Sequence, residues 1–160
     1  MSTSNRKDRP NKLPLPPMLL AACLFAAWGL DTFLPIGWEQ DQVGTFMRAT
    51  GVLLIVVALA IDVWAFLTLR RHKTTILPNK AASQLAVDGP FAHSRNPIYL
   101  GNVALCLGVG FLIGSRWFVL MAAVLFVLLS ELAIKREEAH LAANFSEEWE
   151  SYKSKVRRWI

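Results

Sequence analysis

Where the charges fall limits this chain more than any other feature. Four long apolar runs are nearly free of charge, and the charged residues gather between them. The runs are Met18 to Ile36, Thr50 to Leu69, Pro97 to Ile113 and Trp117 to Ile134. A soluble domain scatters its apolar residues at helical or strand period instead. Runs near 20 residues match the hydrocarbon thickness of a bilayer. A backbone in lipid must satisfy its hydrogen bonds internally, which a helix does within one segment. The sequence therefore predicts an all-α polytopic membrane protein with about four transmembrane helices. Only Gly114, Ser115 and Arg116 separate the third and fourth runs, so these two form an antiparallel hairpin.

The basic residues test this map. Fifteen of the 17 Lys and Arg fall in three stretches: before the first run, between the second and third, and after the fourth. Only Arg48 and Arg116 fall on the other side. By the positive-inside rule both ends are cytoplasmic. Trp28, Trp38, Trp64, Trp117 and Trp159 lie near predicted helix ends, as an interfacial belt places them. The first run follows Pro14, Pro16 and Pro17 without a small-x-small cleavage pattern, so it reads as a retained helix. One membrane domain results: a tail at 1–17, helices one and two at 18–69, a loop at 70–96, a hairpin at 97–134 and a C-terminal amphipathic helix at 135–160.

A net charge of +5 raises the question of nucleic acid. The basic residues sit beside apolar runs, where anionic lipid headgroups are the expected partner and nucleic acid is not. Cys23 and Cys106 lie inside apolar runs and read as small hydrophobic residues. His72, His93 and His140 show no metal-ligand spacing, and no metal site is expected.

The chemistry concentrates at two places. The loop delivers Ser94-Arg95-Asn96-Pro97-Ile98-Tyr99 directly into the third helix. Pro97 suits the first helical turn, and Asn96 or Ser94 can cap it. The free N–H groups there favour an anion such as a carboxylate, with Arg95 beside them. The same residues also suit an ordinary helix start with a headgroup contact. The second place is the end of the fourth helix, with Glu131, Glu137 and Glu138. Glu131 and Lys135 are spaced to pair. A carboxylate at membrane depth costs roughly 2.5 kcal/mol or more at a helix centre, so Glu131 and also Asp62 should face protein or water. Arg95, Glu131 and Glu137 are the candidate catalytic residues. In the tail, Phe145, Trp149, Tyr152 and Val156 recur at helical spacing, for a helix that lies on the membrane or closes over the loop.

Taken in order, Gly89-Pro90-Phe91, Ser94 to Gly101, Glu137-Glu138-x-x-Leu141-x-x-x-Phe145 and Trp149-x-x-Tyr152-x-x-x-Val156-Arg157-Arg158-Trp159 resemble the isoprenylcysteine carboxyl methyltransferase family. That family is related to the phospholipid N-methyltransferases. The likeness covers about half the chain, from Thr74 to Ile160. It implies an integral membrane methyltransferase that uses S-adenosylmethionine, without a soluble Rossmann domain. Carried over by position, the cofactor contacts fall on Leu85, Ala86, Phe91, Asn96, Pro97, Ile98, Tyr99 and Glu137. The implied partner is a lipophilic or lipid-anchored acceptor reaching the site from the bilayer. The Ser-Arg-Asn-Pro variant resembles bacterial members, which implies an inner membrane. Two positions depart from the enzymes acting on prenylated cysteine: Asn96 replaces a histidine, and Ala133 replaces a substrate-binding arginine. The alternatives are a nicotinamide-dependent membrane reductase, whose family is similar at this end, and a non-enzymatic membrane scaffold.

Overall fold

The computed structural model describes residues 14–36, 38, 44–72 and 85–160. The basic tail before Pro14 and the loop residues Lys73, Thr74, Thr75, Pro78 and Lys80 lie outside the described residues. Helix α1 spans Leu15–Phe33 and α2 spans Thr45–Arg71. A 3-10 turn follows at Gly89–Ala92, then α3 at Pro97–Ile113 and α4 at Arg116–Leu128. A π-helical segment, Leu129–Ile134, runs into α5 at Lys135–Lys155. No strand occurs among the described residues, and the protein is an all-α, multi-pass membrane protein.

Three helical stretches are long and apolar enough to cross a bilayer: α1, α2 and the continuous path Arg116–Lys155. The 17 residues of α3 reach about 26 Å at 1.5 Å per residue, just short of a typical hydrocarbon core. The fourth run was expected to stop at Ile134, with a separate helix beyond. Instead the helix passes through the π segment into α5, which kinks only at Phe145 and Ser146. All four apolar runs are helical, with α2 starting earlier than expected, at Thr45.

The helices pack in the order α2, α3, α4, α1. Small residues bring α2 and α3 together. A Cβ at Gly51 would stand 2.5 Å from the Leu112 nitrogen and 2.7 Å from the Gly108 carbonyl oxygen. Such close approach is how helices associate in lipid, where no hydrophobic force draws them together. The outer arc of α2 exposes Leu53, Val56, Val57, Val63 and Leu67, which suits lipid contact.

The α3–α4 hairpin turns on Gly114, whose φ of +76° fits the left-handed cap of a helix end. Asp31 of α1 accepts from the Ser115 hydroxyl at 2.6 Å. The Trp117 indole donates to the Leu34 carbonyl at 2.7 Å. These bonds fix the end of α1 against the hairpin. The start of α1 therefore lies at the opposite end of the bundle, with the end of α2, the start of α3 and all of α5.

Candidate functional site

The site forms where the loop enters α3. Gly89 has a φ of +57°, and a Cβ there would lie 2.6 Å from the Thr68 hydroxyl. Only glycine adopts this conformation cheaply and also clears α2. The turn closes with the Phe91 amide donating to Asp88 at 3.1 Å and the Ser94 amide to Pro90 at 3.2 Å. His72, at the end of α2, bonds the Asp88 carboxylate at 2.7 Å. The loop is thus anchored to α2 before it reaches Ser94.

Neither Ser94 nor Asn96 caps the helix as expected. The Ser94 hydroxyl accepts from the Asn96 amide at 3.1 Å, one residue short of the helix. The Asn96 side chain turns away and donates to the Arg158 carbonyl at 2.9 Å. Asn96 itself carries no side-chain cap on α3. The first N–H groups of a helix have no partner within it, so the positive end of α3 is left for another group.

Tyr99 is buried one turn in, and its hydroxyl donates to Glu137 at 2.7 Å. The π segment decides this meeting. Leu125 and Leu129 face the core, and Glu137 follows eight residues after Leu129. In a plain α-helix of 3.6 residues per turn Glu137 would sit about 80° off the Leu129 direction. A π turn absorbs one residue and brings it back to within about 20°.

Arg95 lies beside this pair, with 10% of its side chain exposed. Its guanidinium sits 5.5 Å over the Trp149 ring. It stands 3.1 Å from Glu138, although neither Nε nor that Nη1 makes an aligned hydrogen bond among the described residues. Glu138 instead takes two aligned bonds from Arg158, at 3.1 Å from Nε and 2.6 Å from Nη2. The tail runs back across the loop here. The Arg95 amide donates to the Arg157 carbonyl at 3.0 Å, and the Tyr152 hydroxyl donates to the Phe91 carbonyl at 2.7 Å. Trp159 stacks on Phe126 with ring centres 4.4 Å apart.

The structure gathers most of the named residues at this end. Ala86, Asn96, Pro97 and Tyr99 are buried, and Leu85, Phe91, Arg95, Ile98 and Glu137 are partly so. Glu131 is the exception. It is 53% exposed and pairs with Lys135 at 2.5 Å, so it does not join the Tyr99–Glu137 pair. Asp62 faces α3, where its Oδ1 is buried without a hydrogen-bond partner among the described residues. Glu138 and Arg158 were not singled out from sequence as site residues. The only signals were the second Glu of the pair and the Arg-Arg-Trp ending. No group of three or more His, Cys, Asp or Glu placed to hold a metal occurs among the described residues.

The model of the phospholipid methyltransferase family matches residues 46–148, from the start of α2 into α5. The chain belongs to the phospholipid methyltransferase family. Membership points to a membrane methyltransferase, and enzymes of this family generally use S-adenosylmethionine. The matched span includes Arg95, Tyr99, Glu137 and Glu138 but not the returning tail. Among curated relatives, the chain is 24% identical over 110 residues to the nickel-cobalt-cadmium resistance protein NccN of Alcaligenes xylosoxydans, covering 69% of this chain and 48% of that one. It is 26% identical over 110 residues to the cobalt-zinc-cadmium resistance protein CzcN of Cupriavidus metallidurans, covering 69% and 47%. An uncharacterised protein of Haemophilus influenzae is 30% identical over 63 residues, 39% of this chain and all of that one. The chain thus spans about half the length of the two resistance proteins. No solved structure matches it.

Proposed function

We propose that this protein is an S-adenosylmethionine-dependent methyltransferase acting on a lipophilic acceptor at the membrane. The observation that carries the reading is the group of Arg95, Tyr99 and Glu137 at the start of α3. Their donors and acceptors suit an amino-acid cofactor. Arg95 has a buried Nε–H without a partner among the described residues, beside an uncapped helix start. Both features favour a carboxylate. Glu137 suits an ammonium or ribose hydroxyls, and Tyr99 fixes its orientation. Leu85, Ala86, Phe91, Pro97 and Ile98 supply the apolar walls, while Asn96 holds the tail in place.

The cofactor would supply a methyl group on a sulfonium, ready for in-line attack. The protein's task is then alignment, and positioning is worth a large part of such a barrier. A carboxylate or thiolate acceptor needs no base. An amine acceptor must arrive neutral or lose a proton, and the Glu137 carboxylate is the base at hand for that transfer. The acceptor enters from the lipid and the cofactor from the cytoplasm, with both chain ends on the cytoplasmic side of a bacterial inner membrane.

Calorimetry on detergent-purified protein tests this, with S-adenosylmethionine and NADPH measured in parallel. Micromolar binding of S-adenosylmethionine is expected, and Tyr99→Ala or Glu137→Ala should abolish it. Folded protein that ignores S-adenosylmethionine would overturn the reading, and binding of NADPH alone would replace it with the reductase.

A further inference from the structure

Two guanidinium groups compete here for one carboxylate. Glu138 is largely buried, with 16% of its side chain exposed, and both Arg95 and Arg158 reach it. The two contacts are unequal. Arg158 makes two aligned hydrogen bonds to both carboxylate oxygens, through Nε and Nη2. Arg95 makes only a close charge contact, and its Nε and Nη1 donors lack aligned partners among the described residues. Fork-shaped pairing to a carboxylate is the strong geometry for arginine. Arg158 therefore satisfies Glu138 first, and Arg95 stays open. Glu137, the neighbouring carboxylate, is taken up by the Tyr99 hydroxyl, and the positive end of α3 lies alongside.

We propose that Arg158 is a positioning residue that keeps Arg95 free to bind the carboxylate of the cofactor, given the cofactor reading above. The returning tail is what places it. The Arg158 carbonyl is held by Asn96 and the Arg157 carbonyl by the Arg95 amide, so the tail cannot shift without disturbing both. Trp159 on Phe126 anchors the same tail to α4. When Arg158 is absent, Glu138 turns onto Arg95 as a two-pronged pair and quenches its donors. Arg158 thus acts on the ligand without touching it, and the C-terminal tail becomes part of the site.

The test compares S-adenosylmethionine with its decarboxylated analogue, by calorimetry on the full chain. Arg158→Ala should weaken S-adenosylmethionine about tenfold or more, the scale of one charge-assisted hydrogen bond. It should change the decarboxylated analogue by less than about twofold, since that ligand has no carboxylate to lose. Adding Glu138→Gln to Arg158→Ala should restore S-adenosylmethionine binding, because the competing carboxylate is gone. Equal loss for both ligands would mean that Arg158 merely supports the fold, and failure of Glu138→Gln to rescue would refute the competition. Wild-type protein binding both ligands, with Arg158→Ala unchanged for each, overturns this proposal alone. Wild-type protein binding neither overturns the cofactor reading and this one with it.

Discussion

The seam between α2 and α3 allows a quantitative prediction, and it matters because it sets where α3 presents its first turn. Two glycines on that seam resist a methyl group for different reasons. A Cβ at Gly101 would lie 2.6 Å from Asp62 Oδ1 and 3.3 Å from the Ala58 carbonyl oxygen. Ordinary contact begins at 3.4 Å, so the carboxylate must retreat by about 0.8 Å, at the lower part of the roughly 1–3 kcal/mol range for overpacking. A short side chain can rotate to do this. A Cβ at Gly51 would meet the Leu112 nitrogen and the Gly108 oxygen, which are both backbone. Nothing there can rotate, and the helices must part by about 0.7 to 0.9 Å, at about 3 kcal/mol or more. Replacing glycine within a helix returns roughly 0.5–1 kcal/mol of conformational entropy in each case. Gly101→Ala is therefore expected to be nearly neutral to mildly destabilising, and Gly51→Ala clearly destabilising. In an Asp62→Ala background the obstacle is gone, and Gly101→Ala should become neutral or stabilising. Reversible unfolding in mixed micelles, followed by tryptophan fluorescence, measures all four variants. If Gly101→Ala had the same effect with and without Asp62, or if Gly51→Ala were the milder change, the packing argument would be wrong.

A further outcome follows from the π segment. Deleting Leu132, an exposed residue of the π segment, should convert that turn to plain α-helix and leave Glu137 facing Tyr99. Deleting Ala139 from α5 should not be tolerated in this way, since it rotates everything beyond it by about 100°. Retained cofactor binding in the first deletion, with loss of the Glu138–Arg158 register in the second, is the expected pattern. The reverse order would refute the role given to the π turn.

Much of this was legible in the sequence because lipid is an undemanding reader. It asks only for length and for absence of charge, and the four apolar runs answered directly. The hairpin turn at Gly114 and the entry at Pro97 were legible for the same local reasons, a left-handed glycine and an imino acid at a first helical position. What escaped depends on register or on distance. Leu129-Ser130-Glu131-Leu132-Ala133-Ile134 has the composition of any helical stretch, and nothing in it declares a wider turn. Counting at 3.6 residues per turn therefore could not place Glu137 against Tyr99. For Glu131 the pairing with Lys135 that its spacing allows is the one present, at the helix surface and apart from the Tyr99–Glu137 pair. Asn96 was expected to cap its own helix because that is the nearest unsatisfied group in sequence. The tail, 62 residues distant, offered a carbonyl instead, and local propensity carries no information about that. The polar residues of this site were recognisable by type, whereas several of their partners lie on a tail that returns from the far end of the chain. That is why the pairing of Glu138 with Arg158, two residues visible only as parts of motifs, was not legible in the sequence.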